Sequence, residues 1–166
     1  MLEINLKKLN SNAIVPTRGS EHSAGYDLYA CLNEEFILIK PGEIFKVPTG
    51  IAVEIPNGYV GLIFARSGLA INKNLAPVNK VGVCDSDYRG EYLVALLNSG
   101  KEEVKIKNKD RIAQLVVVPI LSVKFKEVKN LTETKRGEGG FGSTGIWKFW
   151  NLKVVFNIYC CIYKSF

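Results

Sequence analysis

Two carboxylates, a tyrosine and an arginine fall within nine residues, Gly82 to Gly90, in the order G-V-C-D-S-D-Y-R-G. A carboxylate can take a proton from water, and a tyrosine beside it can pack against a ligand. The apolar residues Val81 and Val83 lead into the stretch, and Tyr92 to Leu97 follow as a strand-like run. This predicts a hairpin with buried flanks and chemistry at its tip. Gly82 and Gly90 allow a close ligand approach that a Cβ would block. In an extended segment Asp85 and Asp87 share one face, and only one of them need be catalytic. Asp-x-Asp-x-x-Gly also opens calcium loops, but Arg89 and Leu96 stand where oxygen ligands are required, so that reading fails. An ordinary polar turn stays open on these nine residues alone.

Short strands must position this stretch. Leu2, Ile4 and Leu6 alternate with polar residues as a first strand, and residues 10–23 form a connection interrupted by Ala13-Ile14-Val15. Strands are expected at Tyr26–Leu32, Phe36–Ile39, Ile44–Val47, Ile51–Ile55 and Tyr59–Phe64, punctuated by Pro41-Gly42, Pro48, Gly50 and Pro56-Asn57-Gly58. Ser67–Asn72 is the candidate helical piece. Tyr92–Leu97, Val104–Ile106, Ile112–Ile120 and Val123–Val128 complete the strands, with Ile112–Ile120 apolar enough for burial on both faces. Many short strands between Gly and Pro residues favour an all-β sandwich or barrel. Residues 130–144 turn polar and glycine-rich and read as a mobile arm.

Composition narrows the classes. The 166 residues suit one domain, and 47% hydrophobic with 23% charged residues argues for a globular chain. A net charge of +6 suits a polyanionic ligand, yet no basic cluster interleaved with aromatics suggests a nucleic-acid groove. The four cysteines have neither zinc nor disulfide spacing, and the single histidine, His22, excludes a histidine-based triad within one chain. Met1 to Asn10 lack an apolar signal core, so the cytoplasm is the expected compartment.

Four further blocks sit in order around the Gly82–Gly90 stretch. They are Ala24-Gly25-Tyr26-Asp27-Leu28, Arg66-Ser67-Gly68-Leu69-Ala70, Asp110-Arg111-Ile112-Ala113-Gln114-Leu115, and the glycine-rich run from Arg136 to Gly145. Together the five resemble the motifs of the trimeric dUTP pyrophosphatases (dUTPases), over residues 1 to about 145. Five blocks in order at family-like spacing are far more specific than any one of them. The resemblance implies a jelly-roll-like β-barrel or sandwich, a homotrimer, and a glycine-rich C-terminal arm. It implies hydrolysis of dUTP to dUMP and pyrophosphate, supplying dUMP for thymidylate synthesis and keeping uracil out of DNA.

Residue roles follow from the same resemblance. Asp85 would be the base that positions water for in-line attack at the α-phosphate, with Asp87 supporting it. Arg66 and Arg136 offer guanidinium forks to phosphate oxygens, Ser67 a hydroxyl, Gly68 an N–H, and Gln114 an amide. Arg111 is better suited to an ion pair that holds its own motif together. Asn79 and backbone groups near Gly82, Val83 and Cys84 would read uracil, while Tyr88 packs on the deoxyribose and leaves no room for a 2′-hydroxyl. Phe141, with Gly142 and Ser143 beside it, would stack on the base and close the site. Mg²⁺ is the expected cofactor, reached by Asp27 through water; a turn or core-lining role for Asp27 is the alternative. Each active site would lie at a subunit junction: the hairpin from one chain, the second and fourth motifs from another, the fifth from the third.

The chain departs from the family pattern at Ala65 (usually proline), Lys109 (usually glycine) and Cys84 (usually aliphatic). None of these removes a catalytic group. A dCTP deaminase of the same fold is a rival that the D-S-D-Y-R-G block and the fifth motif oppose. A nucleotide-binding regulator is a rival of another class, and sequence alone leaves it open as an added role. Residues 146–166 form an apolar extension with three lysines and no acid. Its uncharged stretch, Val154 to Tyr163, is too short to span a bilayer; an added strand on the barrel or an extension with no selected function is expected, and membrane contact, which its lysines and tryptophans would tolerate, is not.

Overall fold

The computed structural model describes residues 2–141 and 143. The chain divides into two units, Met1–Val123 and Lys124–Phe166. The apolar extension from Ile146 onward and Gly142 lie outside the described residues.

The first unit is all-β with one short helix. Its strands are β1 (Asn5–Lys8), β2 (Thr17–Arg18), β3 (Tyr26–Tyr29), β4 (Phe36–Ile39), β5 (Ile44–Pro48), β6 (Ile51–Glu54) and β7 (Tyr59–Phe64). After α1 (Ser67–Lys73) come β8 (Leu75–Pro77), β9 (Val81–Cys84), β10 (Leu93–Asn98), β11 (Val104–Lys107) and β12 (Arg111–Pro119). All pairings are antiparallel, in sheets ordered β1-β6, β5-β10-β8, β11-β4 and β2-β3-β12-β7-β9. Residues from all four sheets share one apolar core, including Leu28, Ile39, Val47, Ile51, Leu96 and Ile112. The buried Asp27, Thr49 and Asn98 side chains carry their own partners. Asn98, for example, donates to the Ile39 and Glu102 carbonyls, both at 2.8 Å.

Several expectations change. Gly82–Gly90 does not join a hairpin: β9 pairs with β7 in the five-stranded sheet, whereas β10 pairs with β5 and β8 in another. The stretch is therefore a crossing between sheets. Nor is it extended beyond the end of β9, because Tyr88 N–H donates to the Asp85 carbonyl at 3.2 Å and closes a turn. Asp85 and Asp87 consequently do not share a strand face. Val123–Val128 forms no strand, and its Phe125 is 92% exposed. Alternation alone cannot make a strand where no neighbouring backbone pairs with it. In β12, Ile112, Ala113 and Leu115 are buried, but Val116, Val117 and Val118 are only half-buried, so two-sided burial holds for its first half. Lys109 adopts φ 70° in the turn before β12, which explains why a glycine is the easier residue there.

Among the described residues no helix is long and apolar enough to cross a membrane.

Candidate active site

The five-stranded sheet places one set of polar groups by register. Thr17, Asp27, Gln114, Phe64 and Val81 form one row across β2, β3, β12, β7 and β9. Directly paired residues share a face, so Asp27 and Gln114 stand side by side. β7 ends at Phe64, and the chain continues through Ala65 and Arg66 into α1 at that same corner. A register shift between Arg111 and Ala113 adds a residue to β12. This bulge turns Arg111 toward the pocket that Gln114 also lines, although the two are three positions apart.

The result is a polar cavity of about 400 Å³ lined by Asp27, Arg66, Ser67, Gly68, Arg111 and Gln114. Arg66 Nε donates to Asp27 Oδ1 at 2.8 Å, and Arg111 Nη1 to Asp27 Oδ2 at 3.3 Å. Asp27 is 8% exposed and holds one guanidinium on each oxygen. Two arginines against one carboxylate leave a net positive pocket. Arg66 spends its Nε edge on Asp27, and Nη1 makes only a long bond of 3.4 Å to the Arg111 carbonyl. The rest of its fork is free for an anion. Gln114 Nε2 donates to the Ala65 carbonyl at 2.9 Å, bracing the turn that carries Arg66. Gly25 is required here: a Cβ on it would sit 2.7 Å from Gln114 Oε1. The first N–H groups of α1, at Ser67 and Gly68, have no carbonyl within the helix to bond.

A second cavity, of about 230 Å³, is lined by Asn79, Gly82, Val83, Cys84, Asp85 and Tyr88, with Tyr92 and Leu93 behind them. β9 is the edge strand of its sheet, so alternate residues along it turn backbone N–H and C=O groups outward. Asp85 follows β9 directly and is exposed at the cavity rim. Tyr88 is half-exposed; its hydroxyl donates to the Glu91 carbonyl at 3.0 Å, and its ring stacks on Tyr92 with centroids 6.2 Å apart. Burial pushes the Cys84 thiol above its ordinary pKa, and the nearby Asp85 charge adds to this. The thiol next to Asp85 therefore stays protonated and unreactive. The Tyr92 hydroxyl is buried beside that thiol with no hydrogen-bond partner, and burial raises its pKa far above the usual tyrosine value. An unsatisfied buried hydroxyl costs about 1–3 kcal/mol.

Asp87 lies at a separate surface cleft with Glu54 and Arg89. There Arg89 donates to Glu54 at 2.9 Å and to the Ser86 carbonyl at 2.7 Å, bracing the crossing. Within the second unit, Arg136 Nε donates to the Gly139 carbonyl at 2.8 Å, and Gly137 N–H to Thr134. Phe141 is exposed with φ 45°, and Ser143 N–H donates to the Gly140 carbonyl at 2.9 Å.

Thus Asp27, Arg66, Ser67, Gly68 and Gln114 come together in one cavity, and Asn79, Gly82, Val83, Cys84, Asp85 and Tyr88 in the other. Sequence reasoning missed Arg111 as a pocket-lining group, because its orientation depends on the bulge. It also missed Tyr92 behind Tyr88, where a strand-like apolar run concealed a contact with the turn.

Residues 11–145 match the family model described as dUTPase. The chain is 46% identical over 144 residues to the deoxyuridine 5'-triphosphate nucleotidohydrolase of Syntrophotalea carbinolica, covering 87% of this chain and 97% of that one. It is 51% identical over 133 residues to the corresponding protein of Desulfitobacterium hafniense, covering 80% and 87%. The solved dUTPase of Staphylococcus bacteriophage 80alpha with dUPNHPP superposes with a TM-score of 0.80 at 30% identity, covering 88% of this chain and all of that one. A dUTPase variant from phage phi11 of S. aureus, described with a structural Mg(II) ion, superposes with a TM-score of 0.71 at 27% identity, covering 78% and 98%.

Proposed function

The chain belongs to the dUTPase family and hydrolyses dUTP to dUMP and pyrophosphate, and we propose that Asp85 is the base of this reaction. The observation that carries the reading is the pair of cavities: a cationic one able to take phosphates, and a small one with a carboxylate at its rim. A phosphate repels an attacking water through its own oxygens, so cations and oriented donors must neutralise them first. Arg66 and Gln114, with Ser67 and the Gly68 N–H, supply those donors in the larger cavity. Asp85 accepts the proton of a water aligned with the α-phosphate, and pyrophosphate leaves on the opposite side.

Base choice falls to the edge of β9. Outward backbone groups near Gly82, Val83 and Cys84, together with the Asn79 amide, hydrogen-bond uracil; a wrong base leaves some of them unpaired. Tyr88 packs against the deoxyribose. Tyr88→Ala is expected to relax the dUTP/UTP preference by roughly tenfold or more, and to weaken dUTP binding less than that. Competing rate measurements on both nucleotides check this, and an unchanged preference places the filter elsewhere.

A hydrated Mg²⁺ carried by the triphosphate fits these residues. Among the described residues no three acids, histidines or cysteines cluster as a metal cage, and Asp27 is the one acid lining the cationic cavity. Its two oxygens each accept one arginine bond, and their remaining lone pairs could hold the ion through a water. When bound, the ion supplies further neutralisation of phosphate oxygens.

The assembly is read as a homotrimer with sites at subunit junctions. The two cavities are separate in one chain, and a further groove lined by Leu2, Ile4, Leu6, Val15, Tyr26 and Val117 leaves apolar surface exposed. Arg136, Phe141, Gly142 and Ser143 are the parts of the arm that close over the nucleotide. Cytoplasmic residence agrees with the unpaired, buried Cys31 and Cys84. Incubation with dUTP, dCTP and UTP, with Mg²⁺ and then with chelator, tests the function. Pyrophosphate released from dUTP alone, and lost on chelation, supports it; equal release from all three overturns it.

Removal of residues 146–166 is expected to leave dUTP hydrolysis intact and improve solubility, since the family match ends at residue 145. Sedimentation and steady-state rates of the shortened chain check this, and a large loss of activity would mean that the extension supports the site.

A further inference from the structure

We propose that Tyr92 is a positioning residue for sugar discrimination, holding the Tyr88 ring in the plane from which it packs against the deoxyribose. The inference rests on the reading of Tyr88 as the sugar filter. A steric filter works only if it does not yield, and an exposed tyrosine on a crossing between sheets is free to swing unless something holds it. Three contacts hold this one. Beneath it, Tyr92 stacks at 6.2 Å with an interplanar angle of 24°. At its tip, the hydroxyl donates to the Glu91 carbonyl. Along its edge, Gly90 leaves room: a Cβ there would lie 2.6 Å from Tyr88 Cζ and 2.9 Å from Cε2.

Tyr92 can serve as a platform because it is itself anchored. It is 2% exposed, its N–H donates to the Ile51 carbonyl at 2.9 Å, and its carbonyl accepts from the buried Thr49 hydroxyl at 2.6 Å. The ring belongs to the core cluster on one side and to the Tyr88 stack on the other. Its hydroxyl lies beside the Cys84 thiol and has no partner of good hydrogen-bond geometry, so the flat ring carries the role and the oxygen does not. Phenylalanine should therefore replace it, whereas leucine fills volume without offering a face.

The test compares Tyr92→Phe, Tyr92→Leu, Gly90→Ala and Tyr88→Ala in kcat/KM for dUTP and for UTP, with thermal unfolding of each. Tyr92→Phe should keep the wild-type preference and unfold no earlier. Tyr92→Leu should lower the dUTP/UTP ratio by roughly two- to tenfold, the scale of one aromatic pair, chiefly through a lower KM for UTP. Gly90→Ala displaces the ring without opening the core, so it should lower the ratio even if Tyr92→Leu folds poorly. Equal losses for both nucleotides, or a drop in the ratio with Tyr92→Phe, would overturn the proposal. If Tyr88→Ala relaxes the preference while Tyr92→Leu and Gly90→Ala do not, the platform role alone fails. If Tyr88→Ala changes nothing, the filter reading fails and takes this inference with it.

Discussion

Replacing Asp85 by asparagine should lower kcat by about 10²- to 10⁴-fold, the range of a lost general base, while leaving dUTP binding nearly unchanged. The substitution is local for a structural reason. The part of Asp85 that shapes the crossing is its carbonyl, which accepts from Tyr88 N–H, and asparagine keeps that carbonyl. The side chain is exposed at the rim, so no core contact is lost. The amide matches the carboxylate in shape but cannot take the water's proton. Burst and steady-state rates, with binding of a non-hydrolysable analogue, separate the two effects. Near-normal turnover would remove Asp85 from the role of base, and lost binding would make it a ligand instead.

Truncation after Thr134 should leave the folded unit intact and lower kcat by about 10²-fold or more, the scale of one lost donor to developing charge. Among the described residues the apolar core and the side chains packed on it lie at or before Val117, upstream of the removed segment. What is lost is the Arg136 guanidinium and the Phe141 ring, which in the proposed lid role act only when the site is closed over nucleotide. Unfolding temperature and sedimentation should stay near those of the full chain. Full activity without the arm would end its role as a lid, and collapse of the assembly would make it structural.

Short-range signals marked much of this chain. Phe36–Ile39 and Tyr59–Phe64 form strands with the expected bounds, because a turn with proline and glycine follows the first and precedes the second, and such signals are local. The helix at Ser67–Lys73 extends only one residue beyond expectation. The five ordered motifs pointed to the family before any geometry, and the resemblance, rather than the spacing itself, implied the chemistry. Pairing was a different matter. Val81–Cys84 and Leu93–Asn98 look like two arms of one hairpin, yet each found partners far away in sequence, β7 for one and β5 with β8 for the other. Strand alternation says which face is buried and not which backbone lies alongside, so Val123–Val128 could alternate without becoming a strand. The same limit hid the β12 bulge that brings Arg111 beside Gln114, the double hold of Asp27 on Arg66 and Arg111, and the ring of Tyr92 under Tyr88. Side-chain type and order along the chain determined what this protein does. Contacts between residues far apart in sequence, which only folding selects, decided how its groups are held to do it.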